Sequence, residues 1–513
     1  MTIVGVEGYT KIRPRMATSY LDNYYARLGI ARDASQDEIQ RAYRRAARQF
    51  HPDTNKHTGA NELFLLVQEA FDTLQDPQKR REYDATLPED IDAPPALMVN
   101  ALYSRPQITP NEPGQVIYVL LDLKPSASEE ERRRKPPLNV ALVLDTSTSM
   151  AGTRLGQVIR AASQFVSQLS EHDVLSLVTF NDRAQVVIPA QPGMDIQRLI
   201  SRISTLQTSG GTEIYQGLKA GLHEVLRHQR PSAINHIVLI TDGRTYGDEE
   251  DCLRLASDAA KLGIPISAIG IGHEWNEEFI DQLVSKAGGS SLYADKSTEI
   301  HTLLENRLQT LSLSYANNVK LNYENGFGSK LNYVFRLSPD VGPVAVEPPV
   351  FLGNVPQNDS LSLLLEFELD TRGTHAGNFM LAEGRLSLDV PTRPTPSNSA
   401  RFRLMRPVAE NTQPEAPPSS LIGAIGKLSL YRMQERARED MEHGDPQGAA
   451  KRMRMLATRL LSQGQRSLAR TVLLAADDIK DGAAMGAKEG KQIKYGTRAL
   501  IDDTEGREKR GAR

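Results

Sequence analysis

Apolar positions along this chain repeat with two different periods, and the changes of period divide it. Between residues 37 and 50, Ile39, Tyr43, Ala46 and Phe50 recur at helical spacing, while Arg41, Arg44, Arg45 and Arg48 keep the same spacing on another face. Ser35 and Glu38 form the Ser-x-x-Glu capping box that starts such a helix. Phe64, Val67, Phe71 and Leu74 mark a second amphipathic helix, and Asp76-Pro77 opens a short basic one. The pattern predicts a helical hairpin with a loop at its tip and a positive stripe on one side. Residues 87–96 are acidic and proline-rich and read as a linker. From 97 to 123 the period becomes two, as in strands, with turns at Pro110-Asn111 and Pro113-Gly114. The charged run 129–135 reads as a solvated loop.

From Asn139 apolar strands alternate with amphipathic helices. Residues 139–144, 174–180, 234–240, 264–271 and 290–294 read as strands; 155–169, 196–206, 214–228, 249–262 and 277–286 read as helices. Strands apolar on both faces and separated by helices imply a doubly wound, mostly parallel α/β sheet over residues 137–312. Strand texture returns at 319–323, 361–369, 379–390 and 401–405. The expected fold class is therefore multidomain. An all-α module (17–86) and a linker (87–96) precede a β-sandwich assembled from 97–128 and 316–408, with the α/β domain inserted between its halves. A proline-rich linker (409–420), a helical region (421–500) and a charged, disordered tail (501–513) follow. In the helical region a break at His443-Gly444-Asp445-Pro446 suggests a hairpin. Its core candidates are Leu428, Tyr431, Met433, Met441, Met455, Leu456, Leu460, Leu468 and Leu473.

Composition narrows the function. At 513 residues with net charge −3 and 24% charged residues, nothing calls for a nucleic acid or a membrane surface as partner. No apolar run reaches the length of a membrane span, and residues 1–16 lack the apolar stretch of a signal peptide. The single cysteine, Cys252, excludes an internal disulfide and a Cys-based zinc site, and its place in an amphipathic helix marks a buried structural thiol. These features point to a reducing compartment, the cytoplasm. There is no phosphate-binding loop, no His-Glu-x-x-His and no Gly-x-Ser-x-Gly, and of ten histidines only His51 lies in a motif. The chain reads as a non-enzyme.

Two clusters carry recognisable chemistry. The first is His51-Pro52-Asp53, between the two predicted helices, with Tyr24-Tyr25-Ala26-Arg27-Leu28-Gly29 before it and Gln78-Lys79-Arg80-Arg81-Glu82-Tyr83-Asp84 after. The whole pattern resembles the J domain of the DnaJ co-chaperone family. That resemblance implies docking on a DnaK-type heat-shock ATPase and acceleration of its ATP hydrolysis. His51, Pro52 and Asp53 would carry the contact, and Arg41, Arg44, Arg45 and Arg48 would steer it electrostatically. The bland alternative is a solvated basic face on an ordinary hairpin.

The second cluster begins where the first α/β strand ends, at Asp145-Thr146-Ser147-Thr148-Ser149. Ligands bind at the carboxyl edge of an open parallel sheet, where loops diverge. Thr212 after Ser209-Gly210-Gly211, and Asp242 after the strand 234–240, add a hydroxyl and a carboxylate from two further loops. Two carboxylates and three hydroxyls form an all-oxygen set suited to a hard cation such as Mg²⁺, or Mn²⁺. Asp, Ser and Thr are also common helix caps and turn residues, which is the alternative reading. The five positions resemble the metal-ion-dependent adhesion site of von Willebrand factor type A domains. In that family Ser147, Ser149 and Thr212 would contact the metal, Asp145 and Asp242 would hold it mostly through water, and one position would await an acidic residue of a partner protein. Glu213 departs from the family pattern, which has a smaller polar residue there.

Together these features lead to a non-enzymatic co-chaperone adaptor. It would grip a protein client through a metal-bridged carboxylate and recruit a DnaK-type ATPase to it. The chain lacks a Gly/Phe-rich stretch after residue 86 and lacks zinc-binding Cys repeats, which favours a specific client over promiscuous binding. The alternative is a scaffold or assembly factor of a multi-protein complex, beside an AAA-type ATPase, using the metal site for protein binding.

Overall fold

The structure, a computed structural model, describes residues 24–30, 34–50, 60–85, 96–127, 131, 134–193, 195–242, 247–272, 274–296, 298–374, 377–410, 416–480 and 486–508. It opens with α1 (Tyr24–Leu28), α2 (Gln36–Phe50), α3 (Ala60–Leu74) and α4 (Pro77–Ala85). The capping box is formed: Glu38 N–H donates to Ser35 Oγ at 3.3 Å, and Ser35 N–H donates back to Glu38 Oε2 at 2.8 Å. Asp76 caps α4 by accepting from Gln78 N–H at 2.8 Å, with Pro77 at the first helical position. Ile39, Ala42, Ala46, Val67, Ala70 and Leu74 bury the facing stripes against Tyr25 and Tyr83, while Tyr43 stacks on Phe71 with ring centres 4.0 Å apart.

Strands β1 (Leu97–Tyr103) and β2 (Pro113–Pro125) do not form a sheet alone. They pair with strands from beyond the α/β domain, with Leu361–Asp370 beside β2, then Ser329–Ser338 and Gly342–Val344. The α/β domain comprises β3 (Leu138–Asp145), α5 (Thr153–Ser167), β4 (Val174–Phe180), β5 (Ala184–Gln191), α6 (Ile196–Ser204), α7 (Ile214–Leu226), β6 (Ile234–Thr241), α8 (Glu249–Lys261), β7 (Ile266–Ile271), α9 (Glu277–Lys286), β8 (Ser291–Ala294) and α10 (Glu299–Ser312). Its sheet order is β5-β4-β3-β6-β7-β8, parallel except that β5 runs antiparallel to β4. Strands β3, β4, β6 and β7 are buried along their whole length because α5, α6 and α10 cover one face and α7, α8 and α9 the other. Cys252 lies in this core, and burial pushes its thiol pKa up, as expected of an inert structural cysteine.

After α10 the chain returns to the sandwich with β9 (Ser314–Asn325), β10 (Ser329–Ser338), β11 (Gly342–Val344), β12 (Val350–Pro356), β13 (Leu361–Asp370), β14 (Gly377–Asp389) and β15 (Ser397–Val408). The second sheet runs β12-β9-β14-β15, and the two sheets share one apolar core. The α/β domain is thus inserted between β2 and β9. Buried Arg336 pins the junction. Its guanidinium donates to Leu352 O at 2.9 Å and Asp340 O at 2.7 Å in the sandwich, and to Gly289 O in the α/β domain.

Helices α11 (Ser419–Glu442), α12 (Pro446–Ser462), α13 (Arg466–Lys480) and α14 (Ala487–Glu508) complete the chain. The expected break at His443-Gly444-Asp445-Pro446 separates α11 from α12, where Asp445 caps α12 by accepting from Gly448 N–H at 2.9 Å. Leu421, Ala424, Leu428 and Tyr431 of α11 cover Leu120, Phe335 and Leu364 on the outer face of the first sheet. Met455 and Leu473, expected in the core, are exposed; Ala457, Val472 and Ala476 take the inward positions instead. The tail expected to be disordered from 501 is helical through Glu508. Among the described residues no helix is long and apolar enough to cross a membrane.

Candidate functional site

The strand order reverses between β3 and β6, so the loops leaving their carboxyl ends diverge and open a rim there. Asp145 ends β3 and Asp242 directly follows β6; both are fully buried. Asp145 accepts from Ser147 N–H at 2.8 Å through Oδ1 and from the Thr241 hydroxyl at 2.6 Å through Oδ2. The Ser147 and Ser149 hydroxyls lie 2.9 Å apart, and Ser149 Oγ donates to Asp242 Oδ1 at 2.7 Å. Four of the five expected positions therefore form one hydrogen-bonded oxygen cluster. Burial, with the charge of Asp242 adding to it, raises the Asp145 carboxyl above the usual range against the bonds from Ser147 and Thr241. Electrostatically, the cluster calls for a cation.

Thr212 is buried on the third loop but makes no hydrogen bond to the other four. Backbone bonds hold its loop in place: Thr148 N–H donates to Gly210 O at 3.2 Å, and Ser209 N–H to Thr146 O at 2.8 Å. Gly210 takes φ +73°, and a Cβ on it would lie 2.4 Å from the Asp182 carboxylate, so glycine is required. Asp182 in turn accepts from Gly211 N–H at 2.8 Å. Glu213 is exposed and precedes α7 without capping it.

Among the described residues no three His, Cys, Asp or Glu side chains converge as metal donors. The rim offers two carboxylates and hydroxyls instead, oxygens 2.7–2.9 Å apart, a set that fits a hard cation retaining some of its water.

Sequence reasoning missed Arg154. Its Nη1 donates to Asp242 Oδ2 and, at 3.1 Å, to Ser149 O. One signal was available: Arg154 occupies the first turn of α5, where the helix dipole disfavours a cation.

On α2, Arg41, Arg44, Arg45 and Arg48 are all exposed, an unobstructed basic face. His51, Pro52 and Asp53 lie outside the described residues.

Three families match separate parts of the chain: the DnaJ domain at 23–84, the von Willebrand factor type A domain at 139–306, and the Sll0103-like C-terminal alpha-helical domain at 419–503. An uncharacterized protein of Synechocystis sp., sll0103, is 29% identical over 340 residues, 63% of this chain and 79% of that protein. The chaperone protein DnaJ of Streptococcus agalactiae is 59% identical over 61 residues, 12% of this chain, and the match spans only 16% of the chaperone. Two solved structures share the fold. A von Willebrand factor type A protein from Catenulispora acidiphila has a TM-score of 0.61 at 14% identity, covering 79% of this chain and 96% of that one. The ArnB paralog VWA2 from Sulfolobus acidocaldarius scores 0.51 at 14% identity, covering 78% and 98%.

Proposed function

We propose that this chain, which carries a DnaJ domain ahead of a von Willebrand factor type A domain and a C-terminal helical domain, is a non-catalytic co-chaperone adaptor. The DnaJ domain recruits a DnaK-type ATPase through the exposed arginines of α2 and the His51-Pro52-Asp53 loop. The rim of the α/β domain binds a specific protein client. The observation that carries this reading is the oxygen cluster of Asp145, Ser147, Ser149 and Asp242 at the switch point. Its hydroxyls leave a bound cation incompletely neutralised, so the remaining charge can attract a carboxylate of the client. Von Willebrand factor type A domains commonly hold a divalent metal at this position. Asp145, Ser147, Ser149, Thr212 and Asp242 would hold Mg²⁺ or Mn²⁺, which supplies Lewis-acid attraction for that carboxylate. The cytoplasm is the compartment that fits a DnaK-type partner and a single buried thiol.

Capture of partners from native lysate in Mg²⁺ and in EDTA, with wild type and Asp145→Ala, tests the client half. The client is expected to be lost in EDTA and in the variant alike; retention under every condition refutes a metal-bridged grip. ATPase stimulation by wild type and His51→Gln tests the other half, and equal stimulation refutes it.

A further inference from the structure

Each carboxylate oxygen of the rim already has a protein partner, but the partners differ in kind. Asp145 is met by a backbone N–H and a hydroxyl, both neutral. Asp242 is met on Oδ1 by the Ser149 hydroxyl and on Oδ2 by the Arg154 guanidinium. Arg154 is thus the one full positive charge bonded to this cluster among the described residues. It also spans two of the converging loops through its bond to Ser149 O at 3.1 Å. The fold makes room for it: Gly272, at the end of β7 with φ +74°, would place a Cβ 3.2 Å from Arg154 Nη2.

The two partners of this pair have unequal freedom. The Asp242 side chain is fully buried, whereas that of Arg154 is 35% exposed. Asp242 is fixed; Arg154 can swing towards water and rehydrate. A divalent cation held through Asp242 would share that carboxylate with Arg154, and its double charge would repel the guanidinium.

From this competition we propose that Arg154 is a tethered counter-cation of the rim, which sets its affinity for divalent metal. Entry of the metal displaces the guanidinium from Asp242 Oδ2. The released charge stays anchored on the first turn of α5. The inference rests on the reading of the rim as a metal site.

Mn²⁺ binding to the full-length chain, followed by electron paramagnetic resonance, tests it in wild type, Arg154→Gln and Arg154→Lys. Arg154→Gln is expected to bind Mn²⁺ about tenfold more tightly, since the competing charge is gone. Arg154→Lys keeps the charge, and its affinity should stay within about threefold of wild type. Thermal melts add a readout that a merely structural residue would not give. In EDTA Arg154→Gln should melt below wild type, because buried Asp242 loses its counterion, and saturating Mn²⁺ should reverse that order. Equal or weaker Mn²⁺ binding by Arg154→Gln overturns the role of Arg154 while leaving the metal site standing. Absence of Mn²⁺ binding in all three chains overturns the metal site itself, and this inference with it. If Arg154→Gln does not fold, Mn²⁺ affinity of Arg154→Lys more than tenfold from wild type in the weaker direction overturns the proposal.

Discussion

Replacing Asp281 by Asn should release the C-terminal helix α14 from the α/β domain. Asp281, on α9, accepts from Lys494 Nζ at 2.8 Å and Arg498 Nη2 at 2.7 Å, while Lys491 Nζ donates to Trp275 O at 2.7 Å nearby. The Lys494 and Arg498 side chains are only 3% and 7% exposed. Burial alone would raise the Asp281 carboxyl, but Arg498 and Lys494 outweigh it and hold the group far below the usual range. Asparagine keeps the shape and removes the charge, leaving two buried cations without their main partner. Breaking a buried pair from one side costs about 3–5 kcal/mol. Glu277 and Glu435 stand 3.8 and 3.9 Å from Lys494 and soften the loss, so the lower end, about 3 kcal/mol, is expected. Hydrogen exchange of the α14 amides reads this as local opening, faster by roughly a hundredfold. A depressed carboxyl contributes fully above its unfolded pKa near 3.9 and loses that contribution as pH falls from there through its lower folded pKa, so the wild-type effect should be flat between about pH 5 and 8. Exchange accelerated less than about fivefold would refute the claim that this carboxylate docks the helix.

His236 gives a pH-dependent prediction of another kind. Buried with Nε2 3.0 Å from Ser267 Oγ, it is held neutral: burial first, and Arg307 second, lower its pKa to about 3. The unfolded chain takes up the proton near 6.5, so stability falls as pH drops below that value, by about 2 kcal/mol between pH 7 and 5 from this residue alone. Denaturant unfolding of wild type and His236→Gln at both pH values should show a shallower loss in the variant; parallel losses would count against it. On the basic face of α2, Arg44→Glu with Arg45→Glu should weaken ATPase stimulation at least tenfold at about 0.1 M salt. The difference should shrink towards 1 M, where the screening length falls from about 10 to 3 Å. A salt-independent defect would point to lost packing instead of steering.

What could be read in advance depended on whether a residue's partner was local. The capping box of Ser35 and Glu38, the doubly buried strands β3, β4, β6 and β7, and the residues Asp145, Ser147, Ser149 and Asp242 all declare themselves within one element or its end. Strand β5 did not, because Pro189 interrupts it and it lies at a sheet edge with Val186 exposed. Strands β10 and β12 were missed for a related reason: bulges at Leu331/Tyr333 and Phe351/Gly353 break their alternation. The apolar run Leu363-Leu364-Leu365 was visible as a strand, but not why both its faces are greasy. Leu364 packs under α11, a helix that begins at Ser419. Nothing local in the sequence announces that α14 docks through Lys491, Lys494 and Arg498. All three are buried, because the carboxylate that meets Lys494 and Arg498 lies 217 residues before Arg498 in the chain.

That long-range docking bears on how the two surfaces cooperate. The sandwich, the α/β domain and α14 are joined by buried charges, at Arg336 across one junction and Asp281 across the other, so the rim is carried on a stiff body. The DnaJ domain meets that body differently. Glu69 on α3 accepts from Arg403 of β15 at 3.2 Å, with the two side chains 37% and 35% exposed. A pair so open to water contributes about 0–1 kcal/mol, too little to fix a domain by itself. The contact also uses α3, which leaves the arginines of α2 exposed and accessible whether or not the pair forms. If the proline-rich stretch 87–96 acts as a linker, a DnaK-type ATPase recruited at α2 under the proposed function would be confined near whatever the rim held. For such an adaptor the gain comes from local concentration, which a short tether supplies without any rigid relation between the two sites. Weakening the Glu69–Arg403 pair should therefore leave delivery intact, whereas lengthening the tether should reduce it gradually.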